Sequence, residues 1–125
     1  MVKLLLLMIL AHIIDDFVLQ SASLSKLKQK SWWEQQDGYA SQYQNDYSMA
    51  LLMHSMSWSI MILLPGMFTV DIPGTVLFGL FVINAGLHYL IDDLKANKKK
   101  INLLDDQTFH MLQVISTWFI LCQWW

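Results

Sequence analysis

Residues 72–95 read IPGTVLFGLFVINAGLHYLIDDLK, a long apolar run that ends in a histidine, two aspartates and a lysine. An α-helix needs about 20 mostly apolar residues to cross the hydrocarbon core of a bilayer, and this stretch is long enough. Its charged residues, Asp92, Asp93 and Lys95, lie together at the carboxyl end. The stretch therefore predicts a membrane-spanning helix with an ionisable end.

The rest of the chain has the same character. Of its 125 residues, 55% are hydrophobic and 14% are charged, and the mean hydropathy is +0.39. Soluble domains carry about 25% charged residues. Three more apolar blocks cover 2–20, 47–68 and 103–125. We therefore predict an all-α, polytopic membrane protein in which residues 1–125 form one transmembrane domain, a bundle of four transmembrane helices.

The first block also fits a cleaved signal peptide, because Lys3 precedes a leucine-rich run and small residues follow at 21–23. His12, Asp15 and Asp16 oppose this interpretation, since the central region of a signal peptide is apolar. We interpret the block as a retained span.

Lysine predicts the orientation of the chain. Seven of the eight lysines follow the first or the third block: Lys26, Lys28, Lys30, Lys95, Lys98, Lys99 and Lys100. By the positive-inside rule, the loops 21–46 and 96–102 are cytoplasmic and both termini lie outside. Within the first loop we expect one short interfacial helix near 24–33. A nucleic-acid partner is excluded by the net charge of −2 and the absence of arginine.

The histidines have a regular relation to the aspartates. Three of the four have an aspartate four positions away: His12 with Asp16, His88 with Asp92, and His110 with Asp106; the fourth is His54. Positions four apart lie on one face of a helix. The predicted topology also places the four histidines roughly 10 Å, and the three aspartates about 5 Å, from the cytoplasmic helix ends.

Ionisable groups at membrane depth are costly and usually mark a functional site. Imidazole and carboxylate are ligands of divalent transition metals, zinc first among them here. Seven residues are predicted to bind metal: His12, Asp16, His54, His88, Asp92, Asp106 and His110. Seven exceed the four ligands of one zinc ion, so two ions are one expectation. The alternative is a His–Asp network that joins the helices, or aspartates that emerge among headgroups.

Other polar residues near these positions have predicted roles. Asp15 and Asp16 are the candidate catalytic residues, and Asp15, three positions from His12, could replace Asp16 as a ligand. Asp93 and Asp105 lie five positions from their histidines and are expected to face headgroups, lysines or water. Four side chains are expected to orient the ligands or contact substrate: Gln20, Asn84, Lys95 and Gln107.

The order of these motifs resembles a known family. His-x-x-x-Asp-Phe-x-x-Gln at 12–20, His54, His-x-x-x-Asp-x-x-Lys at 88–95 and Asp-Gln-x-x-His at 106–110 are similar to an uncharacterised family of small bacterial and phage four-helix membrane proteins, a domain of unknown function. The polar segment 32–45 is longer than in that pattern. A more distant similarity is to the LexA-regulated inner-membrane metal-dependent hydrolases. The resemblance implies the bacterial inner membrane and a hydrolase.

The leading functional hypothesis is a metal-dependent hydrolase that acts on a phosphoester or lipid headgroup at the cytoplasmic leaflet. Two other classes stay open. One is transport or sensing of divalent cations or protons, expected in a homo-oligomer. The other is a phage-type protein that binds a membrane-protein partner and holds only a structural metal.

Overall fold

The computed structural model describes residues 1–36 and 43–125, and helices dominate both ranges. These residues form α1 (Val2–Ile14), α2 (Ala22–Leu27), α3 (Lys30–Trp33), α4 (Asp46–Thr69), α5 (Gly74–Ala96) and α6 (Leu103–Leu121). A π-helix at Asp15–Leu19 continues α1, and a 3-10 turn at Cys122–Trp124 follows α6. The all-α prediction is confirmed. Residues 37–42 of the predicted loop 21–46 lie outside the described residues.

The four long helices form a ring in which α4 packs on α1 and α5, and α6 packs on the same two helices. His12 lies near the carboxyl end of α1 and His88 near that of α5. His54 and His110 lie in the amino-terminal halves of α4 and α6. Neighbouring helices therefore run antiparallel, and one end of the bundle collects all four histidines.

Among the described residues, α4 and α5 are the two helices long and apolar enough to cross a membrane. The prediction of four spans is therefore not confirmed. The regular part of α1 has 13 residues before it changes to a π-helix, and the first turn of α6 carries Asp105 and Asp106. The structure supports a helical protein with two candidate membrane spans.

The bounds of α4 lie within one residue of the predicted block 47–68 at each end. The pairs Pro65–Gly66 and Pro73–Gly74 also predict a tight turn between the second and third blocks; because α4 continues through Pro65 to Thr69, this turn is confined to residues 70–73. Gly66 allows α4 to approach α6 closely, because a Cβ atom at this position would lie 2.8 Å from Leu121 Cδ1. The amino end of α6 is fixed by a capping box between Asn102 and Asp105.

The interior of the bundle has two parts. At the end where α1 begins and α6 ends, the large buried side chains are apolar: Leu4, Met8, Trp58, Ile62, Leu63, Val70, Leu80, Val114 and Leu121. Two small polar side chains are buried among them, Ser59 and Thr117, and both donate hydrogen bonds, to Phe81 O and Asn84 Oδ1. We call this the apolar half. At the other end the buried side chains include the four histidines, Asp15, Asp92 and Asp106. We call this the polar half.

The segment before α4 covers the polar half. The expected single helix near 24–33 is two short helices separated by Lys28 and Gln29. Asn97, at the end of α5, accepts a hydrogen bond from Lys30 N (2.7 Å) and donates one to Lys28 O (3.1 Å). These bonds hold Lys28 against the carboxyl end of α5.

Candidate metal centre

The four histidine rings form one continuous group. Ring centroids are 5.0 Å apart for His54 and His88, 4.1 Å for His88 and His110, and 6.0 Å for His110 and His12. All four residues are at most 3% exposed. The helical register predicted from the sequence thus brings the histidines of four helices together.

Four carboxylates lie among the histidines. Asp16 Oδ1 is 3.5 Å from His54 Nε2, and Asp92 Oδ1 is 3.3 Å from His110 Nε2 and 3.8 Å from His88 Nε2. Asp106 Oδ1 lies 3.4 Å from His110 Nε2. On the other side, Asp15 Oδ2 lies 3.5 Å from His54 Nδ1.

Hydrogen bonds are usually 2.7–3.2 Å long; the His110–Asp92 contact at 3.3 Å is a long hydrogen bond, and the contacts at 3.5 and 3.8 Å are too long for one. They are close to the separation of two ligand atoms bound to one tetrahedral zinc ion, about 3.3 Å for metal–ligand bonds of about 2.0 Å. Within the described residues, six buried side-chain atoms have no hydrogen-bond partner: Asp15 Oδ2, Asp16 Oδ1, His54 Nε2, His88 Nδ1, His88 Nε2 and Asp106 Oδ1. Buried polar atoms are normally paired, so these six atoms form a set that could hold a metal ion.

Neighbouring groups orient the imidazoles. Nδ1 of His54 faces Asp15, whose Oδ1 accepts a 2.8 Å hydrogen bond from Ser57. Nδ1 of His110 is 3.3 Å from Gln113 Oε1, and the Gln113 amide donates to Asn84 O. Both arrangements leave Nε2 directed at the carboxylates, as in metal-binding histidines whose other nitrogen is held by a neighbour.

Trp58 sets the positions of two other rings. Its indole stacks on His88, with centroids 4.4 Å apart, and its Nε1–H donates a 2.9 Å hydrogen bond to His12 Nδ1. Because Nδ1 of His12 accepts this bond, the neutral ring carries its proton on Nε2. In this arrangement neither nitrogen of His12 offers a free lone pair.

Two groups of described residues could hold a metal ion, and in each the ligand atoms lie within 4.8 Å of one another. They are Asp16, His54 and His88, and His88, Asp92 and His110. Five of the seven predicted ligands belong to these groups. The other two, His12 and Asp106, are buried beside them, with His12 bonded to Trp58 and Asp106 bonded to Lys95.

Three aspartate doublets behave differently. In α5, Asp92 turns inward while Asp93 pairs with Lys98 at 2.9 Å. In α6, Asp106 is buried while Asp105 caps the helix. At 15–16 both aspartates turn inward, within the π-helix. Single π-helical turns are frequent at functional sites.

Of the four accessory side chains predicted from the sequence, Gln107 and Lys95 contact the carboxylates of the centre directly. Gln107 Nε2 donates to Asp16 Oδ2 (3.2 Å) and Asp106 Oδ2 (3.1 Å). Lys95 Nζ donates to Asp106 Oδ2 at 2.6 Å. Asn84 and Gln20 act through other residues, Asn84 through Gln113 and Gln20 through Lys28.

Lys28 is a site residue that the sequence did not indicate. Its Nζ donates to Asp92 Oδ2 at 2.6 Å and to Gln20 Oε1 at 2.8 Å, and the residue is 5% exposed. In the sequence Lys28 is one of three lysines in a polar loop, and the positive-inside rule alone accounts for lysines in a cytoplasmic loop. No local pattern separates it from Lys26 and Lys30.

The charges favour a bound cation. Four buried or nearly buried carboxylates, of Asp15, Asp16, Asp92 and Asp106, face two lysines, Lys28 and Lys95. With neutral histidines, two negative charges are uncompensated, and burying unpaired charge is costly. One divalent cation at the imidazole and carboxylate ligands would balance them, and so would protonation of histidines, of which His110 lies between Asp92 and Asp106.

Fold and site together define a helical-bundle protein with two candidate membrane spans and a buried His/Asp centre that could hold a metal ion. The family described as "Protein of unknown function (DUF3307)" matches residues 4–124, and the chain belongs to this family. The resemblance to an uncharacterised family is thereby confirmed. No curated protein and no solved structure matches the chain. The similarity to LexA-regulated hydrolases stays a prediction.

Proposed function

We propose that this protein is a multi-pass protein of the bacterial inner membrane that binds a divalent transition metal, zinc first, and hydrolyses a phosphoester or lipid headgroup at the cytoplasmic leaflet. The observation that carries the proposal is the set of buried, unpaired atoms of Asp16, His54 and His88 within one possible metal group. A network built only to join helices would pair these atoms.

The outer surface supports four spans. Besides α4 and α5, α1 exposes Leu6, Leu7 and Leu10, and α6 exposes Phe109, Leu112, Ile115 and Phe119. Apart from Lys3 and Asp105 at the helix ends, these helices place apolar side chains outside and their charged groups inside, the arrangement expected of a bundle surrounded by lipid. The lysines of 26–30 and 95–100 lie at the polar half, which we orient toward the cytoplasm.

The number of ions follows from how the ligands are shared. Both candidate groups contain His88. One imidazole nitrogen binds one metal ion. The two groups are therefore alternative or overlapping ligand sets for a single ion. Two ions would require each ring nitrogen of His88 to bind a different ion. We propose one ion, with a second ion as the variant to test.

The residues of the centre then have distinct tasks. A bound divalent ion supplies a Lewis acid that acidifies water and stabilises charge on the phosphoryl group. Asp15 is the proposed general base, because Asp15 Oδ2 is buried, unpaired and beside the ligand His54. Asp15 accepts a proton from the attacking water as the water oxygen bonds to phosphorus. The phosphorus–oxygen ester bond breaks, and the leaving oxygen takes the proton that Asp15 accepted.

The apolar half favours hydrolysis over transport. Leu4, Met8, Ile62 and Leu121 are at most 1% exposed and fill the bundle beyond Trp58. Passage of an ion through the chain would require a polar path across this region. The polar centre therefore suits chemistry at one membrane face.

Metal content tests the binding step. We expect detergent-purified protein, prepared without metal-affinity chromatography, to contain about one equivalent of zinc or a similar ion by elemental mass spectrometry. His88→Ala and His54→Ala should reduce the content at least about tenfold. Leu87→Ala, at an exposed neighbouring position, serves as control. Metal-free wild type with an intact fold would refute the proposal.

Kinetics test the role of Asp15. On bis(p-nitrophenyl) phosphate, Asp15→Asn should lower kcat by about 10²–10⁴ while the metal content stays near wild type, because a base is lost and the ligands remain. A loss of metal in Asp15→Asn would instead show that Asp15 acts only by orienting His54.

A further inference from the structure

A second feature of the polar half is a cavity of about 160 Å³ between the α2–α3 segment and the carboxyl end of α5. Its lining includes Lys28, Lys95 and Lys99, two amides, Gln20 and Gln29, and the metal-group carboxylate Asp92. The cavity is smaller than drug-sized pockets of roughly 300–1,000 Å³, so it fits a small group of a ligand. Three lysines around a small space indicate an anion.

Lys28 provides the buried part of this site. An ammonium has three protons to donate, and Lys28 gives two of them, to Asp92 and Gln20. The side chain of Lys28 also borders the cavity. One donor is thus available to an anion, next to a carboxylate of the candidate metal group.

The backbone conformation of Lys99 is an independent indication that a positively charged side chain is retained at this position. Its φ of 54° lies in the left-handed region, which glycine adopts without strain and which costs other residues roughly 1 kcal/mol. The chain has lysine there although glycine would be more stable. Lys99 lines the cavity, and backbone strain is often retained where the residue serves a function.

We propose that the three-lysine cavity binds the phosphate group of the substrate and places it beside Asp92 and the metal. This assignment rests on the proposed function for its chemistry. Charge counting favours a singly charged group. When Lys99 and one divalent ion are added to the four carboxylates and two lysines counted above, one positive charge remains, which a phosphodiester monoanion balances.

The phosphodiester could belong to a lipid or to a soluble molecule. A second cavity, of about 140 Å³, lies on the other side of Gln20 and is lined by Leu19, Leu24 and Met53 together with Asp15 and His54. Gln20 borders both cavities. A lipid could place its phosphate among the lysines and an apolar part near these side chains.

Binding measured by isothermal titration calorimetry, in a phosphate-free maltoside detergent, tests the assignment. The probes are dimethyl phosphate, a soluble phosphodiester, and dihexanoylphosphatidylglycerol, a short-chain lipid. Lys28→Gln should weaken both about tenfold, since a charge-assisted hydrogen bond is lost. Lys99→Gln, at an exposed position, should weaken them about threefold. Tighter binding of the lipid probe would assign the site to lipids, and equal binding would assign it to soluble diesters; both outcomes support the cavity.

Lys98→Gln is the matched control, because Lys98 neighbours Lys99 but does not line the cavity and is half exposed. Its hydrogen bond to Asp93 raises the pKa of the Lys98 ammonium, so the substitution removes a full charge at neutral pH. Lys99→Gly separates binding from folding. It should raise the thermal midpoint by relieving the backbone while it weakens both probes.

Metal content, measured on the same samples, distinguishes the two proposals. If Lys99→Gln and Lys28→Gln keep the wild-type metal content and bind both probes as tightly as Lys98→Gln, the cavity assignment is wrong. The metal centre is then unaffected. Lysine-dependent probe binding by a chain that holds no metal would support the cavity and refute the hydrolase.

Discussion

The two halves of the bundle interior are buried to the same degree but stabilised differently. In the apolar half, Leu4, Met8, Ile62 and Leu121 fill the space between helices, and packing alone accounts for their burial. In the polar half, the described residues include six buried atoms without a hydrogen-bond partner. The first half is therefore complete as a protein core, whereas the second half has the character of a binding site.

Trp58 joins the two halves. Its ring belongs to the apolar cluster, yet one face stacks on His88 and its N–H is bonded to His12. A tryptophan suits this boundary because it combines a large apolar surface with one donor. The boundary limits the polar centre to the end of the bundle that carries the lysines.

The largest expected effect comes from breaking the buried pair of the polar half. Asp92→Asn leaves the Lys28 ammonium buried without a counter-charge, so we expect the protein to lose about 3–5 kcal/mol of stability, measured as a fall of the unfolding midpoint in detergent. Metal content should fall as well, because Asp92 belongs to one metal group.

A neighbour and a double variant sharpen this test. Asp93→Asn removes a partly exposed pair with Lys98 and should cost about 0–1 kcal/mol. Lys28→Gln combined with Asp92→Asn should recover stability but not metal. If the double variant stays as unstable as Asp92→Asn, the buried charge of Lys28 is not the cause.

The apolar half should respond in stability alone. Leu121→Ala removes a side chain that is 0% exposed and leaves a cavity against Gly66, so we expect a loss of about 3 kcal/mol. Metal content, and the fall of the midpoint on adding a chelator, should stay as in wild type. A metal deficit in Leu121→Ala would mean that the two halves are coupled through the helices and are not independent.

The sequence predicted the polar centre because helical spacing is a local property. Histidine and aspartate four residues apart must share a helix face, and antiparallel helices of similar length bring such faces to one level. His54 has no aspartate partner within its helix, but its level in the predicted topology was enough to place it. The predicted accessory residues Gln107 and Lys95 also lie on these faces.

Features that depend on distant contacts could not be predicted. Lys28 joins the site through Asp92, 64 positions away, and its loop is fixed by Asn97. The π-helix that accompanies the inward turn of both Asp15 and Asp16 has no sequence signature. The close approach of Gly66 in α4 to Leu121 in α6 likewise joins residues that are far apart in the sequence.

The smallest expected effect is a difference in sign between two glycines. Gly66 lies in the apolar half, where an added Cβ would meet Leu121 Cδ1 at 2.8 Å. Gly86 lies at the level of the polar half on the outside of α5, with open space around its Cβ position. Alanine stabilises a helix interior by roughly 1 kcal/mol relative to glycine, but overpacking a filled core costs about 1–3 kcal/mol.

Gly86→Ala should therefore raise the unfolding midpoint slightly, and Gly66→Ala should leave it unchanged or lower it by about 1 kcal/mol in stability. Neither change should affect metal content, because neither residue touches a metal group. Equal stabilisation by both substitutions would show that Leu121 yields easily, so that the apolar half is less tightly packed than its burial suggests. The contrast between a complete core and an incomplete centre would then rest on the unpaired atoms of the polar half alone.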